Sequence, residues 1–165
     1  MLKNWQKVLV VFLSWLFLVY LVSFLVVKTA VIKFAPTYPG WDTLAQNEVP
    51  TFLARLNGFD GFHYYTIATR GYRAAALIQA FFPLYPLLIT LLTFVTGQPL
   101  IMSLLISICA SALFLIFTHD YLAKKFNLKV AWLFMIIFLV SPASFYLVAG
   151  YNESLFLLWL ILSLR

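Results

Sequence analysis

The chain has 165 residues, of which 64% are hydrophobic and 10% charged, with a net charge of +6 and a mean hydropathy of +0.99. A soluble domain is about a quarter charged, and a chain this short cannot cover so much apolar surface with so few charges. Composition therefore excludes a water-solvated globule and points to lipid as the solvent. The positive charge reads as loop lysines and arginines meeting membrane lipids rather than nucleic acid. The single Cys109 excludes an internal disulfide.

Residues 8–27 carry no charge and are flanked by Lys3 and Lys7 before and Lys28 and Lys33 after. At roughly 1.5 Å per residue they match a hydrocarbon core of roughly 30 Å. A cleaved signal peptide is the rival reading, but it needs a shorter apolar core and a small-x-small cleavage site. Residues 28–74 form the one long non-apolar region. A second apolar segment follows at 75–96, interrupted by "FFPLYPLL" with Pro83 and Pro86. These prolines remove backbone donors where no water can replace them. The segment is either a kinked span repaired by its neighbours or a shallow helix that walls a cavity.

Gly97-Gln98-Pro99 predicts a tight turn. The third apolar segment is 100–118, and 119–129 reads as a short basic loop. A fourth, 130–149, contains Ser141-Pro142, and a fifth, 155–165, is incomplete. Ten apolar residues make about half a crossing, so the expectation is an N-terminal fragment of a longer protein, inactive by itself. No internal repeat or low-complexity tract is visible. The predicted fold class is all-α, a polytopic transmembrane helical bundle.

One polar and aromatic stretch stands apart, "LNGFDGFHYYTIATRGY" at 56–72. Tyr64, Tyr65, Tyr72 and Trp41 fit an interfacial aromatic belt. Asp60 does not, because an acid close to lipid is costly unless paired or used. On a helix, Asp60 and His63 share a face. A carboxylate here can take a proton from a hydroxyl or hold a cation. A second acid, Glu153, lies among apolar residues in "SPASFYLVAGYNESLF". Ionisable groups in such settings are functional candidates. Asn152 and Glu153 also suit a helix start, with the acid at the positive end of the dipole.

Three stretches, "FDGFHYYTIATRGY", "AFFPLYPLLITLL" and "SPASFYLVAGYNESLF", occur in an order and spacing that resembles the PIG-V-type mannosyltransferases. That family includes the second mannosyltransferase of GPI-anchor synthesis and bacterial relatives, within the GT-C class of polytopic glycosyltransferases. The resemblance covers residues 55–160. It implies a GT-C-like bundle whose long first non-cytoplasmic loop, 28–74, carries the active site and short interfacial helices. It implies inverting transfer of a mannosyl or other hexosyl residue from a dolichyl- or polyprenyl-phosphate donor to a glycan or glycolipid acceptor. The setting would be a bacterial plasma membrane or the endoplasmic reticulum membrane. Asp60 falls on the family's loop acid, although the family pattern usually begins Trp-Asp and here reads Phe59-Asp60. A literal Trp41-Asp42 occurs, but nothing after it fits. His63, Tyr64, Ile67, Ala68, Gly71 and Tyr72 fall on the rest of the first motif, and Glu153 on the acid of the last.

The expected catalytic set is thus Asp60, His63 and Glu153, with Arg55, Tyr64, Arg70, Tyr72, Arg73 and Asn152 binding substrate. Asp60 would act as general base. Arg55, Arg70 or Arg73 would neutralise phosphate, or else only meet lipid head groups. No ligand cluster requires a metal, and a divalent ion stays an open reading. Two tensions remain within the sequence. Lysine and arginine counting favours a cytoplasmic 28–74 loop, against the family topology. Three apolar segments between Asp60 and Glu153 also put the two acids on opposite faces, unless one segment, with 75–96 the foremost candidate, does not cross. The alternative function is a non-catalytic polytopic membrane protein, a transporter fragment or an assembly subunit, but a transporter should show repeated halves.

Overall fold

The computed structural model describes residues 3–29, 41–46, 49–74 and 77–164. Among them all regular secondary structure is helical. Two helices dominate, α1 (Asn4–Thr29) and α6 (Pro99–Lys125), of 26 and 27 residues. At roughly 1.5 Å per residue each is about 40 Å long. Both are long and apolar enough to cross a membrane. Three short helices, α2 (Trp41–Ala45), α3 (Thr51–Arg55) and α4 (Asp60–Arg70), occupy the polar region between them. They are joined by α5 (Leu84–Thr96), α7 (Leu128–Val140) and α8 (Glu153–Ser163). The part of the expected loop at 30–40 and 47–48, with Lys33, lies outside the described residues.

α1 and α6 run in opposite directions. Asn4 and Trp5 share a cavity with Ile116, Phe117 and Ala123 near the end of α6. Phe24, late in α1, packs edge-on against Phe52 of α3. The Tyr20 hydroxyl donates to the Val148 carbonyl at 3.0 Å. Between these points Val8 and Phe12 meet Phe114, Leu115, Met135, Leu139, Leu147, Val148 and Ile161 in the main core. In lipid such contacts gain packing rather than transfer from water, because lipid tails are as apolar as these side chains. The rest of α1 is largely exposed, as a lipid-facing helix would be.

The second apolar segment does not become a span-length helix. Leu77 has φ +65°, a three-residue 3₁₀ turn covers Ile78–Ala80, and Pro83 caps α5. The remaining 13 residues reach only about 20 Å. Tyr85 at the start of α5 touches Ser103 and Ser107, early in α6. Leu88, Leu92 and Val95 share a groove with Met102–Leu113. α5 therefore lies alongside the first half of α6 only. Gly97, at φ +71°, ends α5 with its N–H on Thr93 O at 2.7 Å, and Pro99 opens α6 in the first-turn position where its missing N–H costs nothing. The turn expected at 97–99 is found.

Two segments differ from the expectation. Residues 119–125, read as loop, continue α6. No helix breaker precedes Phe126, and the Asp120–Lys124 pair at 2.8 Å and Lys125 Nζ on the Tyr121 hydroxyl at 2.9 Å support the extra turns. Asn127 then caps α7 by accepting from the Val130 N–H at 3.0 Å. The fourth segment is likewise not one helix. α7 stops at Val140, where Ser141 precedes Pro142 and turns extended (ψ 135°). The chain continues as a 3₁₀ stretch, Pro142–Leu147, pinned by Ser144 Oγ on Leu139 O at 2.8 Å.

Candidate active site

The site is built at the Pro99 end of α6. Ser103, Ser107 and Ser111 recur every fourth residue and so lie on one face, and all three are buried. Ser107 Oγ donates to Tyr151 O at 2.9 Å and Ser111 Oγ to Leu147 O at 2.6 Å. Ser103 Oγ bonds to the Asn57 side-chain oxygen and lies 2.8 Å from Leu100 O. The buried Tyr85 hydroxyl sits 2.8 Å from Ser107 Oγ and 2.9 Å from Ser103 O. These bonds fasten two irregular segments, 56–59 and 147–152, to one helix. Irregular backbone needs such partners when it is buried. Two further bonds join the segments to each other: Gly150 N–H to Leu56 O at 2.8 Å, and the Tyr151 hydroxyl to Gly58 O at 3.0 Å.

Each segment ends where a helix begins with an acid. Asp60 is the first residue of α4 and Glu153 the first of α8. Both stand at the positive end of an 11-residue helix. Glycines bring the two starts together: a Cβ on Gly61 would meet Gly150 O at 3.0 Å. Asp60 is exposed, whereas Glu153 is half-buried. Glu153 Oε2 is buried with no hydrogen-bond partner among the described residues. The Glu153 carboxyl is raised above its ordinary range by burial, and the Asp60 charge adds to the rise while its own backbone N–H opposes it. Glu153 also lines a cavity of about 220 Å³ with Ser141, Ser144, Tyr146 and Leu157.

Phe59, directly before Asp60, has φ +49° and ψ −119°. A bulky residue there costs about 1–3 kcal/mol, and such strain gathers at functional sites. Its ring is exposed, so no core packing offsets the cost.

The other expected site residues separate into two groups. His63 lies one turn after Asp60, and its ring packs against Phe81 with centroids 4.9 Å apart. Tyr64 is buried edge-on against Phe81 and Tyr85. Its phenol is pushed far up by burial first, with smaller contributions from Glu153, Asp60 and Tyr72. Arg55 ends α3, half-buried, with its carbonyl accepting the Gly58 N–H at 3.2 Å. Asn152 occupies the cap position of α8 without a side-chain capping bond. His63 and Tyr64 follow Asp60 on α4, and Asn152 directly precedes Glu153. Arg70 ends α4, about 15 Å along the helix from Asp60, and Arg73 lies beyond it in the chain. Tyr72 also lies beyond α4 but reaches back to Phe81, which packs on His63 and Tyr64. The Tyr72 hydroxyl is committed to Phe81 O at 2.7 Å, and Gln79 Nε2 donates to Tyr72 O at 3.1 Å. Asp42 is exposed on α2, and the Trp41 side chain lies outside the described residues.

Sequence reasoning passed over Asn57 and the three serines. Their signal was the spacing of four in an apolar helix, which is easily read as neutral filling. Among the described residues, no group of three or more histidine, cysteine or acidic side chains is placed to hold a metal ion. Compared with protein-family models, curated proteins and solved structures, the chain matches none of them.

Proposed function

We propose that the protein is a multi-pass membrane glycosyltransferase that moves a mannosyl or related hexosyl residue from a polyprenyl-phosphate-type donor to an acceptor hydroxyl. The observation that carries this reading is that the segments directly before Asp60 and Glu153, the first residues of two helices from motifs 93 residues apart in the sequence, are hydrogen-bonded to each other. The motif resemblance supplies the substrate class.

In the proposed reaction the acceptor oxygen forms a bond to the anomeric carbon as the bond from that carbon to the phosphate oxygen breaks. The acceptor proton passes to Asp60, which is exposed and so open to substrate. The lipid phosphate leaves with the electron pair, and the sugar inverts. Arg55, half-buried at the end of α3 and five residues before Asp60 in the chain, is assigned to the phosphate. Glu153, holding its proton to higher pH than an ordinary glutamate, is assigned to hydrogen-bond donation toward the substrate rather than to proton abstraction. The apolar groove of about 510 Å³ between α5, α6 and α8 offers a surface for the donor's hydrocarbon chain. In the proposed topology α1 and α6 cross, the 13-residue α7 makes the return only together with the 3₁₀ stretch Pro142–Leu147, and α5 does not cross, so that Asp60 and Glu153 would share one face of the membrane.

The test is transfer of labelled mannose from dolichyl- or polyprenyl-phosphate mannose by the natural protein in its membrane. Asp60→Asn keeps shape but cannot take a proton. It is expected to lower turnover by roughly a hundredfold or more, while Asp42→Asn stays near the parent. Near-normal transfer by Asp60→Asn would overturn the assignment.

A further inference from the structure

Between the two acids and α6 sits a side chain to which no role in substrate binding or proton transfer falls. Asn57 is 0% exposed. Its Nδ2 lies 3.2 Å from Leu53 O and 3.5 Å from Leu100 O, and its Oδ1 accepts from Ser103 Oγ. Two donors and one acceptor are all used within one buried spot. Aspartate there would turn both donors into acceptors facing carbonyls. Leucine would strand the Ser103 hydroxyl and two carbonyl groups on one polar contact fewer each.

On its other side Asn57 supports Gly150. A Cβ at Gly150 would overlap the Asn57 Oδ1 atom, would come within 2.7 Å of its Cγ and 3.2 Å from Ser103 Oγ. The missing side chain is what lets the 147–152 segment rest on Asn57 and donate to Leu56 O. Asn57 lies three residues before Asp60, and Gly150 three residues before Glu153. Each contact is thus one short, fixed stretch of backbone away from an acid. Gly61, the residue after Asp60, closes the same seam from above, 3.6 Å from the Asn57 Cβ by its missing Cβ.

We infer that the Asn57–Gly150 contact is a positioning device that sets the separation of the Asp60 and Glu153 carboxylates. Asn57 touches no substrate in this scheme and acts through the two turns it joins. The inference rests on the two-acid reading for its catalytic consequence, but its geometric content stands separately. A displacement of about 1 Å between reacting groups can cost on the order of a hundredfold in rate, so a seam of this kind is where a small side-chain change gives a large catalytic effect.

The experiment uses the natural chain with Cys109→Ala and spin labels at Phe59 and Phe156, both exposed and flanking the two acids. The label-to-label distance distribution is measured in bilayers, and transfer is measured on the unlabelled variants. Gly150→Ala is expected to lengthen or broaden the distribution and to lower kcat by at least about tenfold at unchanged donor KM. Adding Asn57→Ala makes room for the methyl group but removes the hydrogen bonds of Asn57, and is expected to bring the distribution back toward that of the parent without recovering its full sharpness, and to recover part of kcat. Because the two residues touch, their effects couple rather than add; a changed label-to-label distance with lower kcat at unchanged donor KM, in variants that melt like the parent, is the result a merely structural role would not give. Ser103→Ala, which removes one bond and adds no bulk, covers the case in which Gly150→Ala does not fold, and should broaden the distribution alone. An unchanged distance in both Gly150→Ala and Ser103→Ala, or no rescue by Asn57→Ala, overturns the device. If the distances respond and recover as stated while the parent shows no sugar transfer, the device stands and the transferase reading falls.

Discussion

The two ends of α6 use the same kinds of residue for different ends. At the Pro99 end, three buried serines, Tyr85 and Asn57 are hydrogen-bonded, and each serine holds a segment that leads into an acid, while Tyr85 ties α5 to the same face. At the Lys125 end, Thr118 and His119 are just as buried, yet Thr118 Oγ1 and His119 Nε2 find no hydrogen-bond partner among the described residues. His119 instead meets Trp132 edge-on with centroids 4.7 Å apart. The difference teaches that burial of a polar side chain does not mark a site. What marks it here is that the polar groups are committed to holding backbone in place, with two acids left over.

That contrast can be broken at several points. The largest effect is expected at the acids themselves, with Asp60→Asn reducing transfer by roughly a hundredfold or more. Next is Glu153. Its carboxyl is raised from an ordinary value of 4.5, so the folded protein keeps the proton to higher pH than the unfolded chain does. Stability is then lost as pH rises from that ordinary value through the raised one. Glu153→Gln should abolish this dependence in thermal melts, and should remove the alkaline fall in transfer if the neutral form is the working one. A melting profile that keeps its pH slope in Glu153→Gln would locate the titrating group elsewhere.

Smaller effects sharpen the comparison between the two ends. Ser107→Ala leaves Tyr151 O without that donor and should cost about 1–2 kcal/mol in chemical unfolding. His119→Leu, at the other end, removes a buried polar atom that has no partner among the described residues, and should leave stability unchanged or raised. Equal losses at the two sites would erase the distinction drawn here. Phe59→Gly should stabilise by about 1 kcal/mol through relief of the positive φ, and should lower transfer if the strain aims Asp60.

Much of this was legible in the sequence, for reasons that can be named. The charge-free run at 8–27 lies inside α1, and the Gly97-Gln98-Pro99 stop and start were carried by backbone chemistry that few other residues provide. The start of α8 at Glu153 and the outlying position of Asp60 followed from where an acid is tolerable. Hydropathy was a poorer guide to helix ends, because α6 continues through His119–Lys125 on ion pairs and aromatic stems that an apolar count discards. It also made 75–96 membrane-length, a segment its prolines left open between a kinked span and a shallow helix, and Pro83 and the turn at Leu77 leave only 13 helical residues there. Arg70 and Arg73 entered the expected site because they adjoin the motif, and α4 sets Arg70 at its far end from Asp60, whereas Tyr72 returns to His63 and Tyr64 through Phe81. Asn57 and the serine ladder were invisible because their partners lie 36 to 46 residues away.

The central claim is that Asp60 and Glu153 belong to one site on one side of the membrane, and topology tests it most directly. In a Cys109→Ala background, single cysteines at Phe59, Asn152 and Lys125 are treated with an impermeant maleimide on intact cells or sealed vesicles of known orientation. The account predicts that positions 59 and 152 label from the same, non-cytoplasmic face, and that 125 labels only after the membrane is opened. Labelling of 59 and 152 from opposite faces would contradict it.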